Sequence, residues 1–291
     1  MTIVHLPVLG REVIEVLAPQ RGGTYIDATV GLGGHSEMIL DMIGQNGQVV
    51  GIDRDDEALK KAAVRLKDSR VILKKGAFSG MEAILHDAGI READGVLFDL
   101  GVSMMQIRDL GRGFSFHSDE RLDMRMDSSQ PLTAWDVTNT YPERELERIL
   151  KEYGEEPRAR RVAGAIVRQR QKKSIDTCSE LGELVSRTLG RGGRIHPATR
   201  TFQALRIEVN RELDELKGGL EASVRMLRKG GRLCVISYHS LEDRIVKNFI
   251  RDKAKSGIVA PLVKKPLVPS QEERRLNPSS RSAKLRGAER L

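Results

Sequence analysis

Along the first hundred residues, short apolar runs alternate with amphipathic ones. Residues 24–29 read as a strand that ends at glycines, and 48–52, 71–73 and 95–98 read as three more. Between them lie helical patterns at 36–43, at Ala58, Leu59, Ala62, Ala63 and Leu66 with Asp55 or Asp56 as the cap, and at 81–86. Such alternation predicts a parallel sheet covered by helices on both faces. From about residue 109 to 206 the rhythm stops and only helical signals remain. Residues 142–153 place Leu146, Ile149, Leu150 and Tyr153 on one face, with Pro142 in the first turn. Residues 158–171 form a strongly basic helix with Val162, Ile166 and Val167 inside, and 178–189 another through Leu181, Leu184, Val185 and Leu189. A long helix is then predicted over 198–227, with Gly218-Gly219 as its weak point and Gly230-Gly231 as its end. A buried strand at 232–237 and a helix at 243–250 restore the α/β pattern. The tail, with Pro261, Pro266 and Pro269 ahead of 283–288, is expected to add two edge strands. The reading is an α/β core over 1–108 and 207–291, interrupted at 109–206 by an all-helical insert.

Composition narrows the class. With 291 residues and 39% hydrophobic side chains the chain can bury a sizeable core. A net charge of +8 suits a polyanionic partner, because basic side chains release the counterions condensed on nucleic acid. Two cysteines, Cys178 and Cys234, make neither a disulfide framework nor a zinc cluster. No secretory-type leader and no apolar run of membrane-spanning length is apparent, so a cytoplasmic location is expected.

Candidate chemistry gathers at the predicted strand ends. Gly31, Gly33 and Gly34 follow the first strand, where the backbone can approach a ligand at a helix N-terminus. Asp53 ends the second strand about 20 residues on, the spacing at which an acid reaches ribose hydroxyls. Ser36 stands where a dinucleotide fingerprint wants a third glycine, and Asp53, Asp55 and Asp56 would repel a phosphate beside the ribose. A cationic sulfonium nucleoside, S-adenosylmethionine, fits this acidic setting better. Asp27 can approach its amino group, or simply close a strand-end turn. Phe78, just past the third strand, can pack on adenine or on the core. Asp99 ends the fourth strand at the edge where open α/β sheets bind ligands.

Six blocks carry a resemblance. They are Thr29-Val-Gly-Leu-Gly-Gly-His-Ser36, Asp99-Leu-Gly-Val-Ser103, Arg112-Gly-Phe-Ser-Phe116, Leu122-Asp-Met-Arg-Met-Asp127, His196-Pro-Ala-Thr-Arg-Thr-Phe-Gln-Ala204 and Ile236-Ser-Tyr-His-Ser-Leu-Glu-Asp-Arg244. In this order, and over essentially the whole chain, they resemble the bacterial RsmH (MraW) family of 16S rRNA cytosine-N4 methyltransferases. The resemblance implies a Rossmann-like seven-stranded S-adenosylmethionine methyltransferase core with an inserted helical substrate domain. It also implies methylation of one cytosine amine in the ribosomal decoding centre. By position it implies cofactor contacts from Gly33, Gly34, His35, Asp53, Phe78, Asp99 and Gln106. One departure is visible: the family commonly has Ser-Ser or Ser-Thr after Gly-Val, where this chain has Ser103-Met104-Met105 before Gln106.

Cytosine N4 is a poor nucleophile, because its lone pair is delocalised into the ring. Catalysis therefore calls for alignment with the methyl group and an acceptor for the N4 hydrogen, with Asp99 and His239 as candidates. Methylation at C5 would need a cysteine nucleophile, and neither cysteine is well placed. Ser240 with Asp243 reads as a capping box for the helix that follows. Arg158, Arg161, Arg168 and Arg200 are the candidate phosphate contacts, within a basic cluster that also holds Arg160, Arg170, Lys172, Lys173, Arg191 and Arg194. Phe114, Phe116 and Trp135 are the available base platforms. Asp119, Glu120, Asp123 and Asp127, alternating with Leu122, Met124 and Met126, read as the exposed side of an extended segment. Two competing readings are a nicotinamide-dependent oxidoreductase and a noncatalytic RNA-binding assembly factor.

Overall fold

In a computed structural model, residues 7–101, 111–190 and 195–291 are described. They belong to two compact units, 1–101 with 213–291, and 102–212. Gln106, the 103–105 stretch, Arg191 and Arg194 lie outside the described residues.

The first unit is built on seven strands: β1 (Thr24–Asp27), β2 (Gln48–Asp53), β3 (Val71–Lys75), β4 (Ala93–Asp99), β5 (Leu227–Ser237), β6 (Val259–Pro261) and β7 (Lys284–Arg290). Their order is β3-β2-β1-β4-β5-β7-β6. All pairings are parallel except those of β7, which runs antiparallel to β5 and to β6. Helices α1 (Gly10–Leu17), α2 (Gly34–Ile43) and α3 (Asp56–Arg65) cover one face; α4 (Met81–Asp87), α10 (Glu212–Met226) and α11 (Ser240–Lys255) cover the other. Alternation along the strands decides which residue faces which layer. Val96 and Phe98 join Ile26, Ile52 and Val235 beneath Leu85, Leu220 and Val246. Leu97 joins Tyr25, Val49, Cys234 and Ile236 beneath Val13, Ile39 and Ala62. Because the sheet is covered on both sides, its strands read as near-continuous apolar runs.

Two expectations about this unit need correction. The tail strands are not both edges: β6 is the edge, and β7 is inserted between β5 and β6. The reason is that Leu285 and Ala288 of β7 are buried in opposite core layers, which an edge strand seldom achieves. The long helix over 198–227 is two helices, α9 (Thr199–Asn210) and α10, separated by Arg211 in the left-handed region with φ 50°. Gly218 and Gly219 stay inside α10, and the helix ends at Met226, four residues before Gly230. Leu227 already pairs with Ala93; after an irregularity in register, Arg232 pairs with Gly95.

The second unit packs α5 (Ala134–Thr140), α6 (Glu143–Glu152), α7 (Ala159–Arg170), α8 (Cys178–Leu189) and α9 around their own core. Local sequence explains the starts of two of them. Thr133 with Asp136 and Thr177 with Glu180 form complete capping boxes, each satisfying otherwise orphaned amides. Leu122, Met124 and Met126 are buried, but on a segment of bends rather than the extended one expected, with Met124 in the left-handed region at φ 59°. Asn210 ties that segment down: its side chain accepts from the Met126 amide and donates to the carbonyls of Met124 and Arg206.

Candidate functional site

Parallel strands that leave β1 in opposite directions open a crevice at their carboxyl ends, and ligands of open α/β sheets bind there. In this sheet β1 leads to β2 and β3 on one side and has β4 on the other. Asp27, Asp53 and Asp99 each end one of those strands, so the register brings three carboxylates to one edge. Each is held differently.

Asp53 ties down the glycine loop. Its Oδ2 accepts from the Gly31 amide at 2.9 Å and its Oδ1 from the Asp55 amide at 2.9 Å. Gly31 and Gly33 have φ of 50° and 80°, and a Cβ on Gly33 would stand 2.7 Å from Leu66, so the loop requires glycine at that position. Burial pushes the Asp53 carboxyl up to about 6, against the two amide hydrogen bonds, which pull it down. Each of its oxygens, bonded once, keeps a second acceptor position, as contact with a ribose diol would require.

Asp27 is almost wholly enclosed, with 1% of its surface exposed. Its Oδ2 accepts from the Ser36 hydroxyl at 2.7 Å and its Oδ1 from the Thr29 amide at 3.3 Å. Burial raises its pKa, opposed by His35 and by the Ser36 hydrogen bond. Asp27 thus braces the loop from behind. Ser36, which from sequence only marked a missing glycine, is its donor.

Asp99 is more open than Asp27, its side chain 25% exposed. Its amide donates to Thr29 Oγ1 at 2.6 Å, and its Oδ1 accepts from the Tyr238 hydroxyl at 2.7 Å. His35, buried at the start of α2, places Nε2 2.9 Å from the Val8 carbonyl and Nδ1 3.6 Å from Asp99 Oδ2. The Val8 carbonyl can only accept, so Nε2 carries a proton.

Phe78 opens the 3₁₀ turn Phe78–Gly80 after β3. It meets Phe98 edge-on at 5.4 Å, the Arg54 guanidinium lies 5.8 Å from its ring centre, and Gly219 backs it from α10. It remains partly exposed at the sheet edge.

His239 is the N-cap of α11, and the capping box is His239 with Glu242 rather than Ser240 with Asp243. The helix starts one residue earlier than its sequence suggests, which moves the third helical position to Glu242. Asp243 instead pairs with Arg286 at 2.7 Å and Lys284 at 3.2 Å on β7. The His239 imidazole accepts from the Glu242 amide, and its Nε2 lies 3.1 Å from Glu242 Oε1.

In the second unit Arg161 and Arg168 are exposed and lie seven residues apart on one face of α7. Arg158 caps the last turn of α8 through the Leu189 carbonyl at 2.8 Å, and Arg200 lies 4.0 Å from Glu156. Arg170 is structural, bonded to the carbonyls of Thr138 and Tyr141. The acids of this segment are taken up locally: Asp123 by Arg125, Asp119 by Ser179 and Asp127 by Ser129. Trp135 donates to Asp176 at 2.8 Å, and Trp135 and Phe114 pack against the unit's core. Phe116 stacks on His196 at 4.3 Å beside a cavity of about 640 Å³ that Asp119, Ser179 and Glu183 also line. Cys178 is buried, its thiol pushed up to about 12 by burial, and Cys234 is buried inside β5 with its thiol likewise raised. Neither is a competent nucleophile.

Residues 2–291 match the model of the MraW methylase family. A protein of Persephonella marina named ribosomal RNA small subunit methyltransferase H is 50% identical over 294 residues, covering 99% of this chain and 100% of the relative. Proteins of the same name from a Sulfurihydrogenibium species and from Deinococcus deserti are each 48% identical, covering 99% and 100% of this chain and 100% and 94% of their own.

Proposed function

The chain belongs to the MraW methylase family, and from that premise we propose that it methylates small-subunit ribosomal RNA. The methyl donor is S-adenosylmethionine, and the acceptor is the exocyclic N4 amine of one cytosine in the decoding centre. The substrate is 16S rRNA or the assembled small subunit, met in the cytoplasm. The observation that carries the chemistry is the sheet edge where Asp53, Asp99 and the glycine loop converge beside the N-terminus of α2.

The residues at this edge fit the donor. Asp53 has acceptor positions for a ribose diol, Phe78 offers a partly exposed ring for adenine, and the Gly33-Gly34 turn lets the backbone come close. Three carboxylates suit a sulfonium cation and disfavour the pyrophosphate of a nicotinamide dinucleotide. S-adenosylmethionine supplies an electrophilic methyl group. The protein's task is to orient the amine and handle its proton. Asp99, more exposed than Asp27, accepts a hydrogen bond from N4–H, which localises the nitrogen lone pair for in-line attack. His239 is engaged as a helix cap, so the proton-accepting role is assigned to Asp99. Arg161 and Arg168 make phosphate contacts from α7, with Arg158 and Arg200 flanking them.

The test uses small subunits from cells lacking this protein, incubated with the purified chain and labelled S-adenosylmethionine. Nucleoside mass spectrometry should find N4-methylcytidine at a single position. Label on another base, or on cytosine C5, would refute the assignment.

A further inference from the structure

Tyr238 stands between the last residue of β5 and His239, the cap of α11. Its hydroxyl points across the sheet edge to Asp99 Oδ1 at 2.7 Å. Two features fix it there. Its own amide donates to Glu242 Oε2 at 2.8 Å, so the capping box of α11 also anchors the tyrosine. Its ring lies over Gly101, which turns away from β4 with φ 99°; a Cβ there would come within 3.2 Å of the ring. The phenol is the donor in this contact, because a carboxylate can only accept. Burial and the neighbouring Asp99 charge push the Tyr238 phenol well above its ordinary value, so it keeps its proton through the physiological range.

We propose that Tyr238 is a positioning residue for methyl transfer: its hydroxyl holds the Asp99 carboxylate ionised and restricts its rotation, with Oδ2 set on the His35 side. This rests on the role given to Asp99 above. The argument is one of geometry. A carboxylate free to rotate would present its lone pairs in many directions, and a group that must align an amine gains from losing that freedom before substrate arrives. With Oδ1 engaged by Tyr238, the opposite oxygen has a defined direction. The hydrogen bond also favours the charged acceptor form over the neutral acid. Asp99 needs such support, because other groups act on its charge from every side. Asp27 of β1 opposes it, His35 of α2 is close enough to favour it when protonated, and Cys234 of β5 is an apolar neighbour. Glu242 of α11 and Glu273 of α12 (Gln271–Leu276) face Tyr238 from the far side, and both oppose negative charge on the phenol.

The decisive variant is Tyr238→Phe, which removes one oxygen and keeps the ring over Gly101. Two readouts apply. In the protein without cofactor, carbon-detected NMR of aspartate carboxyl groups, with Asp99→Asn to assign the resonance, should show Asp99 titrating about one pH unit higher in the variant. In methyl transfer to small subunits, the acid limb of kcat/KM should move to higher pH by the same amount, with kcat at neutral pH reduced about tenfold. Incorporation of a fluorotyrosine at position 238 supplies a stronger donor in the same shape, and should move both readouts to lower pH. A tyrosine that merely packs would give no opposite-signed pair. If Tyr238→Phe fails to fold, the fluorotyrosine protein alone decides. An Asp99 resonance and acid limb unmoved by either change would overturn the proposal. A wild-type protein that methylates no subunit would sink the functional reading instead, while the carboxyl titration would still report on the hydrogen bond.

Discussion

Gly219→Ala separates two ways of thinking about a glycine in a helix. Local propensity says that alanine should stabilise an interior helical position by about 1 kcal/mol. The tertiary structure says otherwise. A Cβ at position 219 would stand 2.6 Å from Phe78 Cδ2 and 3.1 Å from Phe98 Cε1. Phe98 is fully buried in the core beneath α10, so it cannot move aside. Phe78, partly exposed at the start of its turn, must yield, and it is the ring proposed to pack on adenine. Overpacking of this kind costs about 1–3 kcal/mol, which offsets the propensity gain and leaves the variant about 0–2 kcal/mol less stable. Displacement of the ring should weaken S-adenosylhomocysteine binding about five- to tenfold. Urea unfolding and isothermal titration calorimetry measure the two effects. Gly80→Ala is the control, since nothing lies within 4 Å of a Cβ there. A second substitution, Phe78→Leu, frees the space and should bring the stability of Gly219→Ala back toward that of Phe78→Leu alone, a coupling of about 1 kcal/mol. If Gly219→Ala proved more stable than wild type with unchanged affinity, the glycine would be a matter of propensity alone, and the packing argument would fail.

Two further perturbations follow from the charges. Because burial holds Asp53 up to about 6, and ribose hydroxyls need an ionised acceptor, S-adenosylhomocysteine affinity should weaken as pH falls through about 6. Asp53→Asn should bind less tightly at pH 8 and lack that limb, and a limb retained in the variant would acquit Asp53. For the unliganded protein the sign reverses: the folded state holds this proton more tightly than the unfolded chain, so the contribution to stability is present below about pH 4 and is lost as pH rises through about 6. Replacing Arg161 and Arg168 together with Ala should weaken small-subunit binding and reduce the slope of log affinity against log salt by about one per arginine; an unchanged slope would show that these side chains meet no phosphate.

What the sequence made legible were features set by neighbours along the chain. The four parallel strands from residue 24 to 99 came from apolar runs, and the glycine loop and the strand-end acids came from their spacing. What escaped depends on residues far apart. Arg211, a residue with no breaking propensity, divides α9 from α10, while the Gly218-Gly219 pair stays helical because Ser79 and Phe78 pack where side chains would be. Strand β7 looks like an edge in isolation, yet both of its neighbours are set by contacts with β5 and β6. Position 239 invites a chemical role because histidine so often carries one; that it also caps α11, and that the tyrosine beside it meets Asp99, follow from the fold and not from local sequence.

The two acids Asp27 and Asp99 make the limit most concrete. Each ends a central apolar strand and each precedes the loop that leaves the sheet, so nothing local distinguishes them. Asp27 receives a hydroxyl from Ser36, nine residues on, and is sealed at 1% exposure. Asp99 receives a hydroxyl from Tyr238, 139 residues on, and stays a quarter open. A serine on α2 reaches back over the first strand end and closes it; a tyrosine just past the end of β5 braces the second from the side. Strand-end position therefore predicts that an acid reaches the ligand edge. How it is held there is decided by the partner that arrives from elsewhere in the fold, Ser36 for Asp27 and Tyr238 for Asp99.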